Sequence, residues 1–139
     1  MIIQKEIILP SFNRGFHIIT DYILDGIGPF TVSKGILHIF IKHTSASILI
    51  NENSDLSVRD DFESFFNNMV PENQSYYTHT SEGSDDLPAH VKSSIIGNYL
   101  SIPVSNNGLN LGIWQGIYLC EHRNQASNRQ LVLTLMGEK

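Results

Sequence analysis

Several short runs along the chain alternate apolar and polar positions, the period of a half-buried strand, while a few longer ones repeat at helical spacing. Ile2 to Leu9 alternates loosely and predicts a strand closed by Pro10-Ser11-Phe12-Asn13. Arg14-Gly15 continues the turn into a short strand, Phe16 to Ile19. Thr20 or Asp21 is placed to cap a helix through Tyr22, Ile23, Leu24 and Ile27, which Gly26, Gly28 and Pro29 break. In the strand Gly35 to His43, Leu37, Ile39, Ile41 and His43 share one face, and Ile36, His38, Phe40 and Lys42 the other. After the small residues Thr44 to Ser47, a second run, Ile48-Leu49-Ile50, ends at Asn51-Glu52-Asn53.

Ser54 or Asp55 caps the strongest helical pattern, which Pro71 ends. Its residues Val58, Phe62, Phe65, Phe66 and Met69 are expected to form one buried face. Tyr76 to Thr78 predicts an extended approach to His79. A polar loop then leads to a short helix that has Pro88 in its first turn, carries His90 and stops at Gly97. Tyr99 to Val104 is a strand kept toward a sheet edge by Pro103, and Asn107-Gly108 signals a turn. Gly112 to Arg123 is a long strand with Trp114, Gly116, Tyr118, Cys120 and His122 on one side, Trp114 as core. Gln115 opposite would be an amide in need of partners. Arg129 to Met136 closes the chain. About eight strands and two or three helices predict one α+β domain over residues 1–139, with a β-sandwich-like core and helices packed at its side.

The 139 residues suffice for one hydrophobic core, and 41% apolar with 17% charged residues is ordinary for a globular chain. A net charge of −5 argues against gripping a nucleic-acid backbone. No apolar run approaches the roughly 20 residues of a membrane helix. The start MIIQKEIILP lacks the marks of a signal peptide. The single Cys120 allows no internal disulfide, so a reducing cytoplasm is the expected location.

Six histidines narrow the chemistry. His38 lies mid-strand among large apolar residues and is expected to be packed or hydrogen-bonded in the core, and His17 follows a turn. His43, His79, His90 and His122 stand at element ends or in loops beside other polar groups. Three histidines around one open position suit a divalent metal, zinc in particular. His43, His79 and His90 are the expected ligands, with His122 in reserve. The segment HTSEGSDDLPAHVKSSIIG adds Glu82, Asp85 and Asp86, which could orient the rings or hold magnesium against a phosphorylated substrate. The plainer reading, helix capping, is the better one for Asp55 and Asp86 taken singly. In Glu121-His122-Arg123, alternation puts His122 on one face and its neighbours on the other. Arg123 and Arg129 flank a short turn and could grip an anion together. Ser45 and Ser47 lie near His43 with no nucleophile-elbow pattern around them, which makes a serine hydrolase the weaker alternative.

The phrases RGFHIIT, HTSASILINEN, HTSEGSDDLPAHVKSSIIG and GIWQGIYLCEHR, in this order and spacing, resemble the YjbQ-like family, small proteins often named secondary thiamine-phosphate synthase. The resemblance runs from about Gln4 to Gly137. Ser84 departs from the family's usual Ala, and Ile113 from its usual Thr. It implies a compact α+β homotrimer and a secondary ability to join the pyrimidine and thiazole halves of thiamine phosphate with release of pyrophosphate. The matched positions are His43, Asn51, Glu52, Asp55, His79, Glu82, Asp85, Asp86, His90, Gln115, Glu121, His122 and Arg123. The residues and the resemblance together lead to Glu82, Asp85, Asp86, Glu121, His122 and Arg123 as the expected catalytic groups, Ser45, Asn51, Glu52, Gln115 and Arg129 as the expected substrate contacts, and His43, His79 and His90 as the expected metal ligands. A non-catalytic binder of a phosphorylated or anionic metabolite and a metal-assisted hydrolase need the same pocket.

Overall fold

The computed structural model describes residues 1–139. Eight strands and three helices form an α+β fold. The strands are β1 (Ile2–Ile8), β2 (Gly15–Ile18), β3 (Lys34–Ile41), β4 (Ala46–Glu52), β5 (Tyr99–Ser105), β6 (Gly108–Leu109), β7 (Gln115–Glu121) and β8 (Gln130–Glu138). The helices are α1 (Thr20–Ile27), α2 (Leu56–Met69) and α3 (Asp86–Ile96). One sheet has the order β1-β8-β3-β5-β6 and the other β2-β7-β4, with every pairing antiparallel. No helix is long and apolar enough to cross a membrane.

Strict alternation decides which faces meet. Leu37, Ile39 and Ile41 of β3 join Leu131, Leu133 and Leu135 of β8 on the inner face of the large sheet. They pack against Ile48 of β4 and Ile117 and Leu119 of β7, with Ile23 and Ile27 of α1 completing the same core. The outer face of the small sheet presents Phe16, Tyr118 and Cys120, which α2 and α3 cover through Phe62, Phe66 and Ile96. The order is therefore large sheet, small sheet, then α2 and α3, with α1 packed into the core shared by the two sheets.

Some expectations need correcting. Only Val58, Phe62 and Phe66 of α2 turn inward, and each is half-buried; Phe65 is 63% and Met69 45% exposed. A three-stranded sheet offers α2 a narrow contact line along i, i+4, i+8, with Phe16 stacked 5.7 Å from Phe66. One flank of the helix is claimed by polar groups, because Glu63 and Asn67 both bind Arg14. Trp114 precedes β7 in a turn and is 64% exposed, not core. Gln115 is exposed too, its Oε1 accepting the Gly112 N–H at 2.8 Å within the same turn. His38 lies on the outer face of the large sheet, half-buried and stacked on Tyr99. Thr20 does not cap α1; its hydroxyl accepts the Ile117 N–H at 2.9 Å and ties the helix to β7. The β5–β6 turn centres on Asn106 and Asn107, both at positive φ, one residue before the expected pair. Asp55 caps α2 as expected, accepting the Ser57 N–H at 2.9 Å.

Candidate metal centre and its surroundings

Three connections meet at one end of the sandwich: the loop entering α3, the β3–β4 connection and the β7–β8 connection. Asp86 is the first residue of α3 and is buried. His90 follows one turn later on the same face, so its Nε2 lies 3.1 Å from Asp86 Oδ2. His79, from the incoming loop, brings its Nε2 to 2.6 Å from the same oxygen. Arg123 donates through NH1 to Asp86 Oδ1, through Nε to Asp85 Oδ2 at 2.8 Å and through NH2 to the Glu82 carbonyl at 2.9 Å. Asp85 Oδ2 also accepts the Asn124 N–H at 2.8 Å. Gly83 makes the bend possible: its φ is +112°, and a Cβ there would lie 2.9 Å from Asp85 Oδ1.

Burial by itself would raise both carboxyl groups. The Asn124 N–H and Arg123 outweigh it at Asp85, and His79, His90 and Arg123 do so at Asp86, so both are held below the usual carboxylate range. Asp86 is thus no simple helix cap; its side chain is committed to two rings and a guanidinium.

For a neutral His90 ring, donor and acceptor roles do not close within the chain. Its Nδ1 lies 2.9 Å from the Thr44 carbonyl oxygen, an acceptor only, so Nδ1 carries a proton. In a neutral ring, Nε2 then turns a lone pair toward a carboxylate oxygen. Either a proton or a cation must lie between them. The ligand atoms of His79, Asp86 and His90 all lie within 4.8 Å of one another, close enough to converge on one ion. A backbone carbonyl that fixes the ring from behind is the usual support of a metal-binding imidazole.

His43 is not the third member of this group. Its Nε2 accepts the Gln130 N–H at 2.8 Å, so the neutral ring's proton is on Nδ1 and neither nitrogen offers a free lone pair. Burial and then the nearby Arg129 push its pKa down, which keeps it neutral. The acid Asp86 takes the place expected for His43.

The other expected site residues are spread more widely. Arg123 and Arg129 do not act together. Arg129, 5% exposed, donates to Glu121 Oε1 at 2.7 Å and Oε2 at 2.5 Å, and to Ser45 Oγ at 3.1 Å. Glu121 is fully buried, so neither partner is open to substrate. His122 is also buried, 2.8 Å from Ser47 Oγ, and burial with the positive Lys92 beside it lowers its pKa to about 3. Glu82 joins the cluster only through its carbonyl. Asn51, Glu52 and Gln115 lie at the opposite end of the small sheet, because Ala46 pairs with Glu121 and Glu52 with Gln115. That end is about 20 Å away along β4. There the Glu52 carboxylate accepts the Asp55 N–H at 2.8 Å and helps open α2.

Several contributors carry no sequence signal. The Thr44 carbonyl is backbone and invisible in a motif. Behind the cluster Arg14 binds Glu72 at 3.0 Å and Asn124 Oδ1 at 2.9 Å, while Ser84 donates to Glu72 at 2.6 Å. Buried Lys92 donates to Asn67 Oδ1 at 2.6 Å in the same network. An isolated Arg-Gly in a turn gives no hint that it braces two loops.

Cavities lie around the cluster. One of about 430 Å³ is walled by His43, Thr44, His90, Ser93, Ser94 and Asn98, without a hydrophobic residue. A second, about 240 Å³, runs past His79 and includes Tyr77 and Leu87. A third, about 270 Å³, lies beside Arg123 and Glu82.

Comparison with known proteins agrees with this chain along its length. The model of the UPF0047 protein YjbQ-like family matches residues 5–138. The UPF0047 protein YjbQ of Escherichia coli O157:H7 is 46% identical over 136 residues, 97% of this chain and 98% of the relative. That of Salmonella typhimurium is 48% identical over 138 residues, with 97% and 98% covered. A crystal structure of an uncharacterized conserved protein of the YjbQ/UPF0047 family from Clostridium acetobutylicum superposes with a TM-score of 0.82 at 30% identity, covering 96% of this chain and 99% of the other. The chain belongs to the YjbQ-like UPF0047 family.

Proposed function

We propose that this chain is an enzyme that acts on a phosphorylated small metabolite at a divalent metal held by His79, Asp86 and His90. The observation that carries the reading is the His90 ring, whose Nδ1 is spent on Thr44 and whose Nε2 is turned to Asp86 beside His79. When bound, a zinc or magnesium ion there would supply Lewis-acid charge for a phosphate oxygen or a leaving group. Asp86 is held in place by Arg123, and Arg123 by Asp85, so the carboxylate is aimed before any ligand arrives. The reaction we infer is of the thiamine-phosphate synthase type, joining a pyrimidine diphosphate to a thiazole phosphate and releasing pyrophosphate. Two clefts on either side of the cluster, one wholly polar and one with Tyr77 and Leu87, suit two substrates.

A metal-assisted hydrolase is the second reading. It is favoured by Arg123, whose donors are spent on carboxylates and a carbonyl and not kept for a diphosphate. One experiment separates the two. The purified protein is assayed for bound metal, then given the pyrimidine diphosphate with and without the thiazole phosphate, and with chelator. Pyrophosphate release that requires the thiazole supports the transferase; release without it supports the hydrolase. Retention of the metabolite with no turnover in any arm would overturn both and leave a binding protein.

We further infer a homotrimer working in a reducing cytoplasm. Exposed Ile113, Trp114 and Phe65, at 81%, 64% and 63%, are side chains that a lone chain leaves in water, and the one thiol, Cys120, is buried and unpaired. Light scattering should give three times the 15.6 kDa chain mass. A monomer with full ligand binding would refute the assembly.

A further inference from the structure

We propose that the cavity beside His90 is an oxyanion subsite, in which His43, Thr44 and Asn98 hold a phosphate of the substrate. The proposal rests on the reading of the neighbouring cluster as the reaction centre, since His90 forms part of both walls.

Part of the wall is made of side chains with unspent donors. His43 accepts from Gln130 through Nε2, which leaves its Nδ1–H without a partner in the chain. A group that is only a donor selects a ligand that is only an acceptor, a phosphate before a sugar hydroxyl. Ser93 and Ser94 lend no donor to the wall: the Ser93 Oγ is buried within the protein and closed to the cavity, and Ser94 donates to the His90 carbonyl at 2.9 Å. Thr44 and Asn98 use their backbone carbonyls internally, for His90 and the Ile41 N–H, so their side chains remain free. No acidic residue lines the cavity to repel an anion, and no hydrophobic residue lines it to favour a ring. The volume of about 430 Å³ exceeds what one phosphate needs, so the rest of a metabolite can follow. None of these residues was an expected substrate contact, and His43 was expected as a metal ligand.

Inorganic phosphate is the probe, titrated by calorimetry into chelator-treated and zinc-loaded protein. Thr44→Val removes a hydroxyl donor from the wall and is expected to weaken phosphate binding about fivefold to tenfold in both states. His43→Phe should weaken it further. His43→Gln, whose amide supplies both an acceptor for the Gln130 N–H and a donor, should restore part of the loss. If zinc does not bind but phosphate does, with the same dependence on His43, the metal reading alone fails and the subsite stands. The subsite is overturned if phosphate does not bind the parent, if it binds Thr44→Val and His43→Phe as well as the parent, or if ribose binds in its place. Should His43→Phe fail to fold, Thr44→Val decides alone.

Discussion

Arg123 and Arg129 stand at the two ends of one connection between β7 and β8, and each grips carboxylate with the same planar fork. Arg129 and Glu121 pair in a dry layer, with side chains 6% and 0% exposed, and both carboxylate oxygens are taken by the guanidinium. Arg123 is 23% exposed, and the carboxylate it holds, Asp86, still faces two imidazoles. The difference is one of saturation. A buried ion pair with every oxygen answered by a guanidinium is a fastening. One whose second oxygen is shared between two imidazole nitrogens is a site, because a cation can take the place of a ring proton there.

The largest test of this contrast acts on stability. Glu121→Ala leaves the Arg129 guanidinium buried and unpaired, and such changes cost about 3–5 kcal/mol. Asp85→Ala removes a partner from the less buried arginine and should cost less than half as much. Denaturant unfolding of both variants measures the difference. Equal losses would erase the distinction between fastening and site.

A smaller effect comes from pH. His122 is buried beside the Arg129 layer with its pKa lowered to about 3, against about 6.5 in the unfolded chain. Below about pH 6.5 the unfolded chain takes up a proton that the folded chain refuses, so stability falls on acidification. The slope from one such group approaches about 1.4 kcal/mol per pH unit and persists toward pH 3. His43, also lowered, adds in the same direction. Asp85 and Asp86 contribute only below about pH 4, where the unfolded carboxylates protonate first. His122→Gln should therefore flatten the stability profile between about pH 4.5 and 6.5, above the range in which carboxylates protonate. An unchanged slope would mean that the ring is not held neutral.

The same contrast explains what the sequence could and could not reveal. Alternation reports burial face by face, so the inner residues Leu37, Ile39 and Ile41 were legible, as were Asp55 as a cap and Gly97 as a stop. Helical periodicity overreached at Phe65 and Met69, because it cannot know how wide a surface the helix will meet. His79, Asp86 and His90 stood out as a polar cluster, but their grouping did not. Which nitrogen of His43 is already occupied depends on a backbone N–H from Gln130, far along the chain. Arg123 and Arg129 flank one turn in the sequence, and what separates them is whether the carboxylate each holds has an oxygen left for other groups.

The smallest stability effect, and the sharpest test of the site, is Arg123→Lys. A lysine keeps the positive charge near Asp85 and Asp86 in a partly hydrated place, so the fold should lose no more than about 1 kcal/mol. It cannot reproduce the fork. Nε, NH1 and NH2 of Arg123 reach Asp85, Asp86 and the Glu82 carbonyl at once, fixing a side chain and two loop positions in one plane. An ammonium group has no such geometry, so Asp86 is free to turn away from His79 and His90. Loss of an outer partner of this kind costs about 10–100-fold in metal affinity. Zinc titration of Arg123→Lys against the parent, with melting curves to show the fold retained, reads the effect directly. Arg129→Lys is the counterpart. It should lower the melting temperature more than Arg123→Lys does, since its ammonium is buried, and leave zinc affinity near the parent's. If zinc affinity fell equally in both variants, the arginines would not be doing different work.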